Sequence, residues 1–203
     1  MSLDDWYRNE NWNEEIEREF FRKLNRARSQ RTQYLVIQAM ILSENHPRIT
    51  LRLVEEYFAS QKSNSDDVRA IWARALAYLN LGDIENAMKS FRSVLDREDE
   101  FPNCLSSVYV DYPYIVATRK IEQEYDNAIK VLHDNGDRLT HPIEHFKWHA
   151  AFALIQDNRK QACKALEAAQ IETSDFRYHP GFGLVGEAHE ETIKQLCNIS
   201  KAC

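Results

Sequence analysis

Residues that break regular backbone are scarce in this chain. Five glycines and five prolines stand among 203 residues, about 5% of positions where roughly 12% is usual. Sandwiches, barrels and propellers need a turn residue roughly every 8–12 positions, and this sequence cannot supply them. The chain is therefore expected to be all-α. Hydrophobic residues make up 43% and aromatic residues 11%, enough apolar surface to offset the ordering entropy that keeps low-complexity chains unfolded. The length suits one compact domain or one short solenoid.

Charge narrows the choice of partners. There are 26 Lys and Arg against 32 Asp and Glu, a formal net charge of −6, so no global basic field is available to hold a phosphate backbone. The four cysteines, Cys104, Cys163, Cys197 and Cys203, form no CxxC pair and read as reduced thiols of a cytosolic protein rather than a disulfide framework. The longest apolar run, Tyr34 to Leu42, is interrupted by Gln38 and is too short to cross a bilayer. Nothing near the N-terminus resembles a signal peptide. A cytoplasmic protein without a membrane partner or a cofactor is expected.

The clearest internal unit runs from Val68 to Leu95. Ser65 and Asp66 are candidate N-caps. Ile71, Ala75, Tyr78 and Leu79 share one helical face, Gly82 and Asp83 mark a turn, and Ile84, Ala87, Met88, Phe91, Val94 and Leu95 restart the pattern. That is a helical hairpin, with the small residues Ala75 and Ala87 where two axes must approach closely.

On Ala75, Tyr78, Gly82, Asp83, Ala87, Phe91 and Val94 this unit resembles a tetratricopeptide repeat. With Ala87 as register mark, a third unit falls at Tyr112 to Leu132, where Pro113 opens a helix and Gln123 and Glu124 make the turn. A fourth spans Pro142 to Ala169, with Asp157 and Asn158 at the turn. A first unit covers Gln33 to Ser60, turning at Asn45, His46 and Pro47. The segment from Asp96 to Val110 should loop out, since Ala87 and Ala128 are further apart than the repeat period allows. Asn13 to Ser29 reads as an amphipathic capping helix with Ile16, Phe20, Leu24 and Ala27 inward, and Glu187 to Ile199 as a cap at the other end. The resulting expectation is an α-solenoid of about four tetratricopeptide-like hairpins forming one structural domain. It comprises an N-terminal aromatic segment and cap at 1–31, repeats at 32–171, and an irregular tail with a C-terminal cap at 172–203.

Several strings could carry chemistry. Gly181, Gly183 and Gly186 match GxGxxG, but that fingerprint needs a preceding strand and an acid about 20 residues later, so a flexible connection is the better reading. His141, His145 and His149 stand at i, i+4 and i+8, which places His145 and His149 on one helical face as weak candidates for a metal site. Arg18, Arg22 and Arg26 form a basic stripe on the first helix, suited to phosphates or to an acidic protein. Solvated i,i+4 pairs, Glu14 with Arg18 and Glu19 with Lys23, are the plainer account of it. Trp6, Tyr7 and Trp12 read as a staple on the first helix.

The resemblance implies a concave groove lined by the first helix of each hairpin. By position, Leu35 and Ala39, then Arg69, Trp72 and Leu76, then Tyr114 and Lys120, then Lys147 and Ala151 would line it. Trp72 could equally pack inside the fold. No nucleophile, base and orienter are placed together, so the expected function is a non-catalytic protein-interaction scaffold that takes a peptide or partner helix. The alternatives are an adaptor for nucleic acid or an acidic protein on the basic stripe, and a metal-dependent enzyme at His145 and His149. Self-association stays open, as does the question of whether the chain's own tail, from Glu172 to Gly186, folds back against the groove.

Overall fold

Ten α-helices and no strand occur among the described residues of the computed structural model, which are 5–60, 66–174 and 176–201. Ser65 and Cys203, named above, lie outside them. The chain divides into two compact units, Met1–Val108 and Tyr109–Cys203.

Unit 1 contains α1 (Glu14–Leu24), α2 (Arg31–Leu42), α3 (Pro47–Ser60), α4 (Asp67–Asn80) and α5 (Ile84–Glu100). Its boundaries follow local chemistry. Asn13 Oδ1 accepts the Ile16 amide at 2.9 Å and starts α1, with Glu14, Glu15 and Glu17 facing the positive end of the helix dipole. Helix α1 stops at Leu24 rather than Ser29, because beyond it only Ala27 continues the apolar face. Pro47 opens α3, where a missing N–H costs nothing. Gly82 takes the left-handed conformation, φ 79°, between α4 and α5, and Asp83 caps the second helix through the Asn86 amide at 3.2 Å. Asp66 stands at the start of α4 but makes no side-chain cap bond.

Helices α2 and α3, α3 and α4, and α4 and α5 pack as successive neighbours, and α2 also meets α4. Ala70, Ala73, Ala75 and Ala77 on α4 and Ala87 on α5 are fully buried, the small residues that let helix axes approach closely. The core joins Phe20 and Leu24 of α1 to Leu35, Val36, Ala39 and Leu42 of α2 and to Leu53, Val54 and Tyr57 of α3. Trp6, Tyr7 and Trp12 pack on this core, as the staple reading expects. Gln38, which interrupts the apolar run of α2, is buried and anchors that segment. Its Oε1 accepts from the Asn9 amide at 3.0 Å and its Nε2 donates to the Asn9 carbonyl at 2.7 Å.

Unit 2 holds α6 (Val108–Thr118) from Tyr109 onward, α7 (Tyr125–Asp134), α8 (Pro142–Gln156), α9 (Arg159–Ala169) and α10 (Glu190–Lys201), with 3₁₀ turns at Glu122–Glu124, Gly136–Arg138 and Glu187–His189. Two expectations are corrected. Pro113 lies inside α6 rather than at its start. The segment from Asp96 to Glu100 is not looped but continues α5, where Arg97 ion-pairs with Asp67 and Glu100 and lies over the Phe101 ring.

The α8–α9 pair is a hairpin whose turn uses Asp157, left-handed at φ 48° without being glycine, and Asn158, whose Oδ1 accepts the Gln161 amide at 3.2 Å. Asparagine and aspartate tolerate that conformation better than other side chains. Phe146, Ala150 and Ala153 of α8, Ala162, Ala165 and Ala168 of α9, Leu196 of α10 and Tyr114 form the core. Helix α10 packs on α9 and α8 and so covers this hairpin.

Candidate functional site

The three histidines spaced at i, i+4 and i+8 come together at the edge of unit 2. His141 is the residue before α8, and Pro142 occupies the first helical position, so His145 and His149 follow on one face. Together with α9 and the segment after it they line a cleft of about 510 Å³, whose other walls include Lys164, Glu167, Ala168, Ile171, Thr173, Ser174 and Phe176. That size suits a peptide side-chain cluster or a small ligand.

The segment after α9 folds back onto the start of α8 and shapes this cleft. The Ile143 amide donates to the Gly183 carbonyl at 2.8 Å. The His141 ring sits 5.4 Å from Phe176 and 5.3 Å from Phe182, centroid to centroid. Gly183 is left-handed at φ 74°, and a Cβ there would meet His141 Cβ at 2.9 Å, so only glycine fits both the backbone angle and the contact. The loop closes on itself as the Ser174 amide donates to the Pro180 carbonyl at 2.8 Å and Ser174 Oγ to the His179 carbonyl at 3.0 Å. The tail thus folds back within unit 2, and Gly181, Gly183 and Gly186 shape a connection, not a dinucleotide turn.

Each histidine has its own surroundings. His149 Nδ1 lies 2.6 Å from Gln161 Oε1, and burial, the largest influence, holds its imidazole below the usual histidine range. The His145 and His149 rings lie nearly parallel with centroids 6.4 Å apart, and the Trp148 ring stands edge-on to His149 at 4.8 Å. Next to His141, Glu144 Oε2 accepts from the Thr140 and His141 amides at 2.9 and 3.1 Å. Burial raises the Glu144 carboxyl, but those donors outweigh it and hold the group below its ordinary value. Lys164 and Glu167 are exposed and form no ion pair among the described residues.

Among the described residues, four of the seven exposed large hydrophobic side chains lie within residues 171–182: Ile171 at 45%, Phe176 at 45%, Tyr178 at 82% and Phe182 at 56% exposure. Concentrated apolar exposure of this kind marks a surface that meets another molecule.

No family model matches the chain, and neither a curated protein nor a solved structure does. The likeness to tetratricopeptide repeats therefore rests on the hairpins themselves.

Several of the groove residues inferred from that likeness are buried within their own unit. Leu35 and Ala39 are fully buried in unit 1, beneath the core that also includes Phe20 and Leu24. Tyr114 is buried in unit 2, its hydroxyl bonded to His189 Nδ1 and Thr192 Oγ1, each at 2.8 Å, and Ala151 is fully buried there too. The C-terminal segment covers Tyr114, whereas Ala151 packs against Ala117 of α6 and Leu132 of α7. Trp72 is half-buried, its Nε1 enclosed without a partner, and Leu76 is half-buried on the same helix. Lys147 is neutralised by Asp111 at 2.7 Å. Arg69 and Lys120 are exposed.

Of the three arginines of the basic stripe, Arg22 alone is ion-paired among the described residues. Arg22 pairs with Glu19 at 2.6 Å and Lys23 with the same carboxylate at 3.6 Å, holding Glu19 down to about 2. Arg18 and Arg26 are exposed and have no ion-pair partner among the described residues, so the expected Glu14–Arg18 pair is not formed. Four glutamates share α1 with its three basic residues. Among the described residues no three His, Cys, Asp or Glu side chains gather in a way that could hold a metal ion, and no helix is long and apolar enough to cross a membrane.

Sequence reasoning found the histidine row but missed its lid and the α9 wall. Four aromatics, Phe176, Tyr178, His179 and Phe182, crowd among Pro180, Gly181 and Gly183. That density was the signal for the lid.

Proposed function

We propose that the protein is a non-catalytic protein-interaction module, built from tetratricopeptide-like helical hairpins, that receives a segment of a partner protein in the cleft between α8 and α9. The exposed aromatic and aliphatic cluster of residues 171–182 beside that cleft carries the reading, because water-exposed apolar area on this scale is retained where a partner covers it. The packed α2–α3, α4–α5 and α8–α9 pairs and the α2–α4 contact are consistent with repeat-type stacking. Two of the three hydroxyls at the cleft are engaged away from the histidines: Ser174 Oγ donates to a carbonyl and Thr140 Oγ1 to Glu144 at 3.0 Å, which favours binding over nucleophilic chemistry at those positions. The four glutamates that share α1 with Arg18, Arg22 and Lys23 leave that helix without a net positive charge, so the nucleic-acid adaptor has less support than partner binding.

Photo-crosslinking tests this directly. With benzoylphenylalanine in place of Phe176, discrete polypeptide adducts should form in native extract and disappear when Ile171→Ser and Lys164→Glu are added. If position 176 gives only intramolecular adducts while a probe at exposed Arg26 captures polypeptides, the site lies elsewhere.

A further inference from the structure

Resting on the reading of this cleft as a partner site, we infer that its occupant is an acidic peptide segment carrying an aromatic or branched aliphatic anchor, with His145 and His149 receiving its carboxylates. Charge complementarity selects this occupant. Among the described wall residues the permanently charged groups are one cation, Lys164, and one anion, Glu167, which cancel, so among these residues the three histidines decide the sign. Each proton they take makes the cleft more positive. Lys164 is exposed on α9 and forms no ion pair among the described residues, and Ile171 and Phe176 offer apolar contact beside it.

The hydrogen bonding of His149 makes acceptance of a carboxylate conditional on a proton. Gln161 Oε1 accepts from Nδ1, so in the neutral ring Nε2 is the bare acceptor and would repel a carboxylate oxygen. Protonation at Nε2 turns it into a charged donor. The groups that face His149 are His145 and Trp148 from its own helix and Gln161, Lys164 and Glu167 from α9. Of these, Lys164 and His145 resist the added charge and Glu167 favours it. Glu144 is turned instead toward Thr140 and the His141 amide, and among its described residues the tail contributes Thr173, Ser174 and Phe176 to the cleft, none of which titrates. An incoming carboxylate supplies the missing counter-charge, so binding draws a proton from solution.

The experiment is selection from a random phage-displayed library of peptides about twelve residues long against the full chain at about pH 6, followed by affinity measurement on the selected peptides. Peptides with an excess of Asp and Glu around one aromatic or aliphatic residue should be enriched and bind about tenfold more tightly at pH 5.5 than at pH 7.5. Calorimetry in buffers of different ionisation enthalpy should register proton uptake near neutrality. The His145→Gln, His149→Gln double variant should flatten the pH dependence, and Lys164→Glu, at an exposed position that leaves folding intact, should weaken binding at every pH. Selected peptides that need Phe176 and Ile171 but show no acidic excess, or bind equally across this pH range, overturn the inference and leave the partner-site reading standing. Peptides that bind a Phe176→Ser, Ile171→Ser variant as well as the parent, or a selection that enriches nothing, overturn both.

Discussion

Unit 1 and the α8–α9 region of unit 2 are made from the same helical hairpins, yet they treat their polar side chains in opposite ways. In unit 1 polar groups that reach the interior are tied to one another. Tyr57 donates to Asp67 Oδ1 at 2.7 Å, Asp67 Oδ2 takes the Arg97 guanidinium, and Thr50 Oγ1 donates to the Ala39 carbonyl at 3.0 Å. Trp72 Nε1 and Arg74 Nε on α4 are the exceptions. In unit 2, the walls of the cleft carry Lys164 and Glu167, which have no ion-pair partner among the described residues, beside exposed Ile171 and Phe176. A buried polar group must be satisfied by the fold or cost stability, whereas one at a cleft is hydrated when free and remains available to a ligand. Closed networks of this kind hold a shape, and open ones leave surface for recognition.

The largest effects should come from the two cores, where a pair of variants shows whether each unit keeps its own stability. Phe20→Ala and Phe146→Ala, both at fully buried positions, should each cost about 3–5 kcal/mol in denaturant unfolding. Amide exchange should rise chiefly in α1–α3 for the first variant and in α8–α10 for the second. Equal loss of protection everywhere in both variants would erase the distinction between units. Next, Asp67→Ala strands the Tyr57 hydroxyl and leaves Arg97, whose side chain is 23% exposed, with Glu100 alone. Water screening of that arginine limits the cost to about 2–3 kcal/mol, and a loss under about 0.5 kcal/mol would show that the closed network contributes little. In unit 2, Gly183→Ala combines a left-handed backbone with a 2.9 Å clash on His141. It should cost about 1–3 kcal/mol and free the Phe176 and Phe182 rings, visible as altered aromatic NMR shifts.

The last prediction concerns pH. Burial lowers the pKa of His149 and also of His189, where the nearby Lys147 adds to the effect. The unfolded chain then binds more protons than the folded one as pH falls below the ordinary histidine value of about 6.5. This contribution to unit 2 is therefore complete above that pH and is lost as pH falls toward the folded values. Thermal unfolding of the free protein should shift down on acidification, less so in His149→Gln. Bound acidic peptide should oppose the shift, because it favours the protonated ring.

Much of the fold was legible because its signals are local. Pro47 and Pro142 begin helices, Gly82 and Asp83 turn one hairpin, Asp157 and Asn158 turn another, and Asn13 caps α1, each through backbone geometry within a few residues. The groove was less legible. Helical spacing identifies an apolar face but not what covers it, and Tyr114 is covered by His189 and Thr192, 75 and 78 residues further along the chain. The ions on α1 illustrate the same limit at short range: Arg18 and Arg22 look equivalent on the stripe, yet only Arg22 closes on Glu19.

The scarcity of glycine and proline, the helical periodicity and the spacing of His141, His145 and His149 settle, without any structure, that the chain is helical and that two of these rings share a helix face. These properties follow from backbone conformation and the 3.6-residue turn. The tertiary fold alone decides that Lys164 and Glu167 from α9 and Phe176 from the tail meet those rings around one cleft, and that Gln161 sets the tautomer of His149. Such contacts join residues a dozen or more positions apart. They depend on which faces pack together, and the burial of one face against another is a property of the whole fold rather than of any stretch of chain.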